Sequence, residues 1–249
     1  MSIKLVSINV ERSKHLDRVR DFLEREKPDI VCMQELVDTD CEYFAQTIGA
    51  FDYVYTAEGL EIENGESMIS GTGLFSRYPL HRYGVAYYFR TNEKVPCRIE
   101  DPATFNNAHR AIAWADCVVD SDVYRIATTH LTWTPGGSVT DQQRTDTREM
   151  LKELSGMGEL VFCGDFNAPR GNEIFSQIAS LYTDNIPAHY KTSIDVNLHR
   201  NGKTRPRDFD DKMVDGLFST PGYRVTDVEL VGGVSDHYGI VATISKIRS

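Results

Sequence analysis

At 249 residues, with 41% apolar and 26% charged side chains, the chain has the make-up of an ordinary folded protein, long enough for one layered domain or two small ones. No run reaches the roughly 18–20 uninterrupted apolar residues of a membrane-spanning helix, and the opening Met1-Ser2-Ile3-Lys4-Leu5-Val6 leads into a strand pattern rather than a secretory leader. Five cysteines without CxxC spacing argue against structural zinc and for reduced thiols, and a net charge of −10 argues against a face built to grip long duplex nucleic acid.

Residues 4–10 alternate and read as a strand carrying Asn9 at its end. Residues 14–27 put Leu16, Val19, Phe22 and Leu23 on one helical face, with Pro28 where the helix must stop. The β-rich apolar run 29–36 carries Glu35 near its end, where a carboxylate is costly to bury unless paired or bound to a cation. Residues 39–49 read as a helix with a Thr or Asp cap and a terminal Gly49, and 51–57 as a strand. The polar, acidic stretch 59–70 reads as a loop or lid. Successive strands follow at 73–77, 83–89, 110–119 and 123–131, the last two joined as a hairpin through Asp120-Ser121-Asp122. A polar-faced helix over 139–154, a buried strand over 159–167 and a helix over 172–181 come next. The basic stretch 199–207 reads either as a solvated Gly/Pro loop or as a phosphate-contacting one. Strands at 212–219, 223–231 and 239–247 finish the chain. No repeat or linker interrupts it, so one domain over 1–249 is expected, with two packed sheets, helices on their outer faces, and one sheet from each half of the chain.

Six polar clusters recur at the ends of apolar runs: Ser7-Ile8-Asn9-Val10, Cys32-Met33-Gln34-Glu35, Thr129-His130-Leu131, Gly164-Asp165-Phe166-Asn167, Val214-Asp215-Gly216-Leu217 and Ser235-Asp236-His237. Strand ends are where side chains converge at the rim of a sheet. Taken singly, each has a bland reading: turn chemistry at Asn9, a structural histidine at His130, an Asx-turn at Asp165. Alternation along an extended chain would put Asp165 and Asn167 on the same side, and Asp215, an acid inside an apolar run, needs a partner that His237 can supply. Six such accidents in this order are far less economical than one site of oxygen donors, amides and imidazoles suited to metal-assisted phosphate cleavage.

With Gly-Asp-Phe-Asn and Ser-Asp-His as its most specific pieces, the chain resembles the endonuclease/exonuclease/phosphatase superfamily from about Ile3 to Ile247. That group includes DNase I-like nucleases, abasic-site endonucleases, neutral sphingomyelinases and inositol-polyphosphate 5-phosphatases. The resemblance implies a four-layer α/β/β/α sandwich, two mixed β-sheets flanked by helices. It implies metal at Asn9 and Glu35, with Glu35 the principal ligand and Asp236 at the metal or its water. Asp165 and Asn167 then lie beside the scissile phosphate, and Asp215 pairs with His237. Glu11 falls where some members carry a further acidic ligand. His130 matches DNase-like and sphingomyelinase-like members, whereas abasic-site enzymes carry Tyr there, which argues against abasic-site repair. Gly71-Thr72-Gly73-Leu74-Phe75-Ser76-Arg77 resembles an internal packing strand.

The expectation is therefore a Mg²⁺- or Mn²⁺-dependent phosphoesterase acting on a phosphodiester or phosphomonoester by in-line attack of water. The base is either Asp165 or the Asp215–His237 pair, and His130 stabilises charge or assists the leaving oxygen. Arg205 and Arg207 are expected to hold a substrate that is small or single-stranded. A DNA or RNA nuclease is the runner-up, and an inactive binding protein on the same fold is the rival of a different class. Tyr83, Tyr87, Tyr88, Phe89 and Trp133 fit a pocket lining, contact with a membrane surface, or core packing equally well. A cytoplasmic monomer is expected.

Overall fold

In the computed structural model, residues 1–63, 65–90, 94–98 and 107–248 are described. The elements run β1 (Ser2–Asn9), α1 (Leu16–Glu26), β2 (Ile30–Val37), α2 (Cys41–Ile48), β3 (Asp52–Glu63), β4 (Glu66–Ser76), β5 (Leu80–Phe89), β6 (Cys97–Arg98), β7 (Arg110–Val119) and β8 (Asp122–His130). They continue with α3 (Asp141–Ser155), β9 (Val161–Asp165), α4 (Glu173–Ala179), β10 (Thr183–Asp184), β11 (Asp215–Ser219), β12 (Tyr223–Val231) and β13 (Gly239–Lys246).

The strands form two mixed sheets, one ordered β12-β13-β1-β2-β4-β3-β6 and the other β10-β11-β9-β8-β7-β5 among the described residues. Strand side chains alternate between faces, and here both faces are apolar. Leu5, Ile30, Cys32 and Leu74 of the first sheet meet Ala115, Ile126, Cys163 and Leu217 of the second in a common core. The intervening residues point outward. Val6, Ile8, Val31 and Met33 pack under Val19, Phe22 and Leu23 of α1 and Phe44 of α2, and Phe162 and Phe218 pack under α3 and α4. The result is the expected α/β/β/α sandwich. All five thiols are free, and four of them are buried.

Two expectations need correction. The stretch 59–70 is not a loop: β3 and β4 pair through it as a long hairpin, with Leu60 opposite Ile69 and Ile62 opposite Ser67. The polarity does not mark a solvated loop: Glu61 pairs with Arg12 at 3.1 Å, while the apolar Ile62 is exposed. Nor does each half of the chain own a sheet. β13 pairs antiparallel with β1, carrying β12 back to the N-terminal sheet, while β5 joins the second sheet through β7. Strand order rests on long-range pairing, which local periodicity does not encode.

The inward parity positions the functional groups. Each inward-facing row turns from apolar to polar toward its end: Leu5, then Ser7 and Asn9 on β1; Ile126, then Thr128 and His130 on β8; Val161 and Cys163, then Asp165 on β9. His130 is in register with Asp165, and Asp165 with Asp215, so three neighbouring strands present one lateral row. The β8–β9 approach depends on Gly164, whose φ is +147° and whose Cβ would lie 1.9 Å from Thr129 O. Gly164→Ala is expected to lower stability by roughly 3 kcal/mol or more, read as a fall in the urea midpoint. A variant as stable as the parent would show that the strands can part without loss.

Candidate active site

The row opens on two imidazoles facing one buried carboxylate. His237 Nδ1 lies 2.7 Å from Asp215 Oδ2, which turns Nε2 toward Asp165 Oδ2 at 3.9 Å. His130 Nε2 approaches the same oxygen at 3.7 Å. Asp165 is held from both sides, accepting from Asn9 Nδ2 at 3.1 Å and from the Asn167 backbone N–H at 2.8 Å. Burial, reinforced by the charge of Asp215, raises the Asp165 carboxyl above its ordinary value. Burial opposes charge on His237, but Asp215, Asp165 and Asp236 together raise the imidazole well above its usual range.

A second, acidic pole lies beside this row. Glu35 would face outward by strand parity. Its left-handed φ of +53° and a register shift between Met33 and Leu36 turn it into the cleft, as a β-bulge does. Its Oε1 accepts from Asn9 Nδ2 at 3.2 Å, and its Oε2 pairs with Arg12 Nη1 at 3.2 Å. Burial pushes Asp236 up to about 7, with His237 opposing and the Glu11 and Glu35 charges adding to the rise. Oxygen donors on Asn9, Glu35 and Asp236, crowded with like charge, fit a hard divalent cation. Asp165, Asp215 and His237 also offer ligand atoms within 4.8 Å of one another, but the short His237–Asp215 contact is a hydrogen bond within a dyad.

Both poles open into one cleft of about 670 Å³ whose lining includes Glu11, Glu35, His130, Asp165, Asn167, Asp236, His237 and Trp133. Asn167 is not on an extended strand: at φ +50° it closes an Asx-turn on Asp165 and donates from Nδ2 to Leu131 O at 2.9 Å. It reaches the cleft from that turn, while one of its N–H groups is committed to the backbone. Arg205 lines the cleft, whereas Arg207, expected alongside it, is exposed and does not. The aromatic residues divide. Tyr88 is buried with its hydroxyl on Thr129 Oγ1 at 2.9 Å, Tyr83 is exposed, and Trp133 faces the cleft.

A sequence profile described as "Endonuclease/Exonuclease/phosphatase family" matches residues 6–237. The chain belongs to this family. Membership makes it one of a group of hydrolytic phosphoesterases and nucleases that generally depend on a divalent metal. An endonuclease/exonuclease/phosphatase from Beutenbergia cavernae superposes with a TM-score of 0.72 at 16% identity, covering 98% of this chain and 72% of that one. The human nocturnin catalytic domain with bound sulfate gives 0.71 at 17%, covering 99% and 95%. D. rerio TDP2 complexed with a single-strand DNA product gives 0.69 at 19%, covering 98% and 99%. At these identities the likeness is one of fold. No curated protein matches the sequence.

Sequence reading missed a set of buried groups that hold this family site together. Glu58 and Arg110, each 1% exposed, pair at 3.1 Å, and Arg110 Nη1 also donates to His130 O at 3.0 Å. Glu58 Oε2 lies 3.2 Å from His130 Nδ1, so His130 has a carboxylate behind it as His237 has Asp215. Thr72 Oγ1 donates to the other Glu58 oxygen. The available signal was an acid following the strand-like Tyr53-Val54-Tyr55-Thr56-Ala57. Ser193 and Asp195 were also missed. Ser193 Oγ accepts from the Val214 and Asp215 N–H groups, each at 3.1 Å, and its carbonyl accepts from Tyr238 N–H at 2.7 Å. The Asp195 N–H donates to Asp236 O at 2.8 Å, and its carboxylate caps Gly233 N–H at 2.7 Å.

Burial alone would raise the Glu58 carboxyl, yet the charge and hydrogen bond of His130, with Arg110 and Thr72, hold it below its ordinary 4.5. A depressed acid stabilises the fold above its unfolded value, and that stability is lost as pH falls through the folded one. Glu58→Gln strands the Arg110 charge and is expected to cost about 3–5 kcal/mol at neutral pH. It is also expected to lower kcat about tenfold or more through His130. Urea unfolding followed downward from pH 5 checks the first part: the variant should lose less stability on acidification than the parent. Equal acid slopes would remove Glu58 from the linkage.

Proposed function

We propose that the chain is a Mg²⁺- or Mn²⁺-dependent phosphoesterase, acting as one catalytic unit, that cleaves a compact phosphodiester or phosphomonoester by in-line attack of water. The observation that carries this reading is Asp165 facing two imidazoles, at 3.7 and 3.9 Å, beside the acidic pole of Glu35 and Asp236. Asn9, Glu35 and Asp236 would hold the cation, which when bound polarises a phosphoryl oxygen.

The remaining work falls to the chain's own groups. Asp165, fixed by the Asn9 side chain and the Asn167 N–H, orients the water and accepts its proton. His237, its Nδ1 committed to Asp215, presents Nε2 to the charge that develops on the phosphoryl oxygens. His130, backed by Glu58, gives a proton to the leaving oxygen. Asn167 contacts the substrate from its turn, and Arg205 holds the part of the substrate that does not react.

A compact substrate is supported by the net charge of −10, which disfavours the multiple phosphate contacts of a duplex-gripping enzyme. A nucleic-acid end is the second reading, favoured by the likeness to TDP2, which was solved with a single-strand DNA product. The free thiols fit a reducing, cytoplasmic compartment.

Chelation decides the first point: EDTA should abolish hydrolysis of a simple diester such as bis(p-nitrophenyl) phosphate, with Mg²⁺ or Mn²⁺ restoring it better than Ca²⁺ or Zn²⁺. Full turnover after EDTA and dialysis would overturn the metal assignment. His130→Ala and His237→Ala should each lower kcat by about 10²-fold or more, and near-parental turnover in either would return that histidine to a structural role. On substrates, kcat/KM should favour short single-stranded and small phosphoesters over plasmid and abasic duplex DNA. A tenfold preference for duplex would defeat the charge argument.

A further inference from the structure

Four Lys and Arg side chains line the cleft, and they are not alike. Arg12 is held between Glu35 at 3.2 Å and Glu61 at 3.1 Å, and Lys212 Nζ donates to Gly136 O at 2.5 Å. Arg200 and Arg205 line the same cleft but make no ion pair, side-chain hydrogen bond or ring contact among the described residues. In a chain of net charge −10, two exposed guanidinium groups with no carboxylate partner among the described residues, lining the same cleft as the candidate row, leave their charge available to an anion from outside. Asp208 lies on the same arm and lines the cleft, yet pairs with neither among the described residues.

The backbone that carries them is pinned rather than slack. The His199 N–H donates to Asp195 O at 2.8 Å, and the Asn197 N–H to Asp195 Oδ1 at 2.9 Å. A Cβ on Gly202 would lie 1.9 Å from Val196 O, so the turn between the two arginines closes only with glycine. The Arg205 N–H returns to Asn201 O at 2.9 Å, and Phe209 packs against His199 with ring centroids 4.4 Å apart and planes tilted by 54°. A fixed turn lowers the ordering cost of binding.

The charges of the cleft then assign its ends. The acidic pole of Glu11, Glu35 and Asp236 repels any phosphate except one bridged by a cation. A second phosphate on the same substrate must therefore settle elsewhere, and guanidinium forks match its oxygens. We infer that Arg200 and Arg205 form a second anion subsite, and that the natural substrate is a compact phosphoester carrying a further phosphate besides the one cleaved. This rests on the phosphoesterase reading above and narrows its substrate class.

The test compares two probes differing by one phosphate, the dinucleotide TpT and its 5′-phosphorylated form pTpT, on the parent protein and on R200Q/R205Q. The parent should prefer pTpT by about tenfold or more in kcat/KM, chiefly through KM, the scale of charge-assisted hydrogen bonds. The preference should fall with added salt and collapse toward parity in R200Q/R205Q, while R200K/R205K, which keeps charge without the fork, should retain part of it. Parity in the parent, or an undiminished preference in R200Q/R205Q, overturns the subsite. Calorimetric titration of both probes in EDTA separates this inference from the catalytic one. Tighter binding of pTpT that is lost in R200Q/R205Q upholds the subsite even where neither probe is cleaved, and that failure would count against the phosphoesterase reading alone. Equal binding of both probes by the parent overturns the subsite even where cleavage is observed.

Discussion

The site depends on a buried lateral row in which His130, Asp165 and Asp215 stand in register on three neighbouring strands. Ionisable groups at this depth are expensive unless each is paired, and the arrangement supplies a partner for every member. Asp215 takes His237, Glu58 lies behind His130, and Asp165 accepts two hydrogen bonds while facing both rings. The rows leading to these residues turn from apolar to polar near the strand ends, with Thr128 before His130, so the two-sheet core gives way there to the polar row. Packing that drives the sheets together thereby helps fix the spacing of the groups in this row, a form of preorganisation that needs no separate scaffold.

Backbone strain is concentrated in the same place. Of the non-glycine residues with left-handed φ, Glu11, Arg12, Glu35 and Asn167 all line the cleft. Each departs from regular strand or helix geometry, and each thereby aims a polar side chain that regular geometry would turn away. Such conformations cost about 1–3 kcal/mol apiece and persist only where surrounding structure imposes them. Here the Glu11 N–H on Asn9 Oδ1, the Arg12 N–H on Glu35 O and the Asn167 N–H on Asp165 Oδ1 impose them. These anchors are themselves site residues or their immediate neighbours, so the acidic pole and the catalytic row support one another.

Much of this was legible in the sequence because strand periodicity is local. The helices at α1 and α2, the burial of β9 and the polar ends of β1, β2, β8 and β9 all follow from spacing, and the Asp215–His237 pair follows from an acid that needed a partner. What escaped was non-local or irregular. Glu58 and Arg110 are 52 residues apart, and neither looks unusual without the other. Asn167 was read by extrapolating a strand one pleat too far, whereas the chain had already turned on Asp165. The hairpin over 59–70 was obscured because an exposed strand and a polar loop share a composition. The return of β12 and β13 to the first sheet is a matter of topology, which periodicity does not carry.

The segment between β10 and β11 joins two properties that are usually described apart. Ser193 and Asp195 clasp the backbone of Asp215, Asp236 and Tyr238, and the Asp195 carboxylate caps both Asn197 and Gly233. The turn that follows carries Arg200 and Arg205. If the anion subsite proposed for Arg200 and Arg205 holds, the non-reacting part of a substrate would be contacted by the same stretch that orders the Asp215–His237 pair. Binding energy realised at such a remote group can be used to fix groups at the reacting centre rather than only to tighten association. Under the proposed function, this clasp would join recognition at the arginine turn to the Asp215–His237 pair. Its polar backbone contacts add to the packing of the sheets in holding the backbone of Asp215 and Asp236 around the second imidazole.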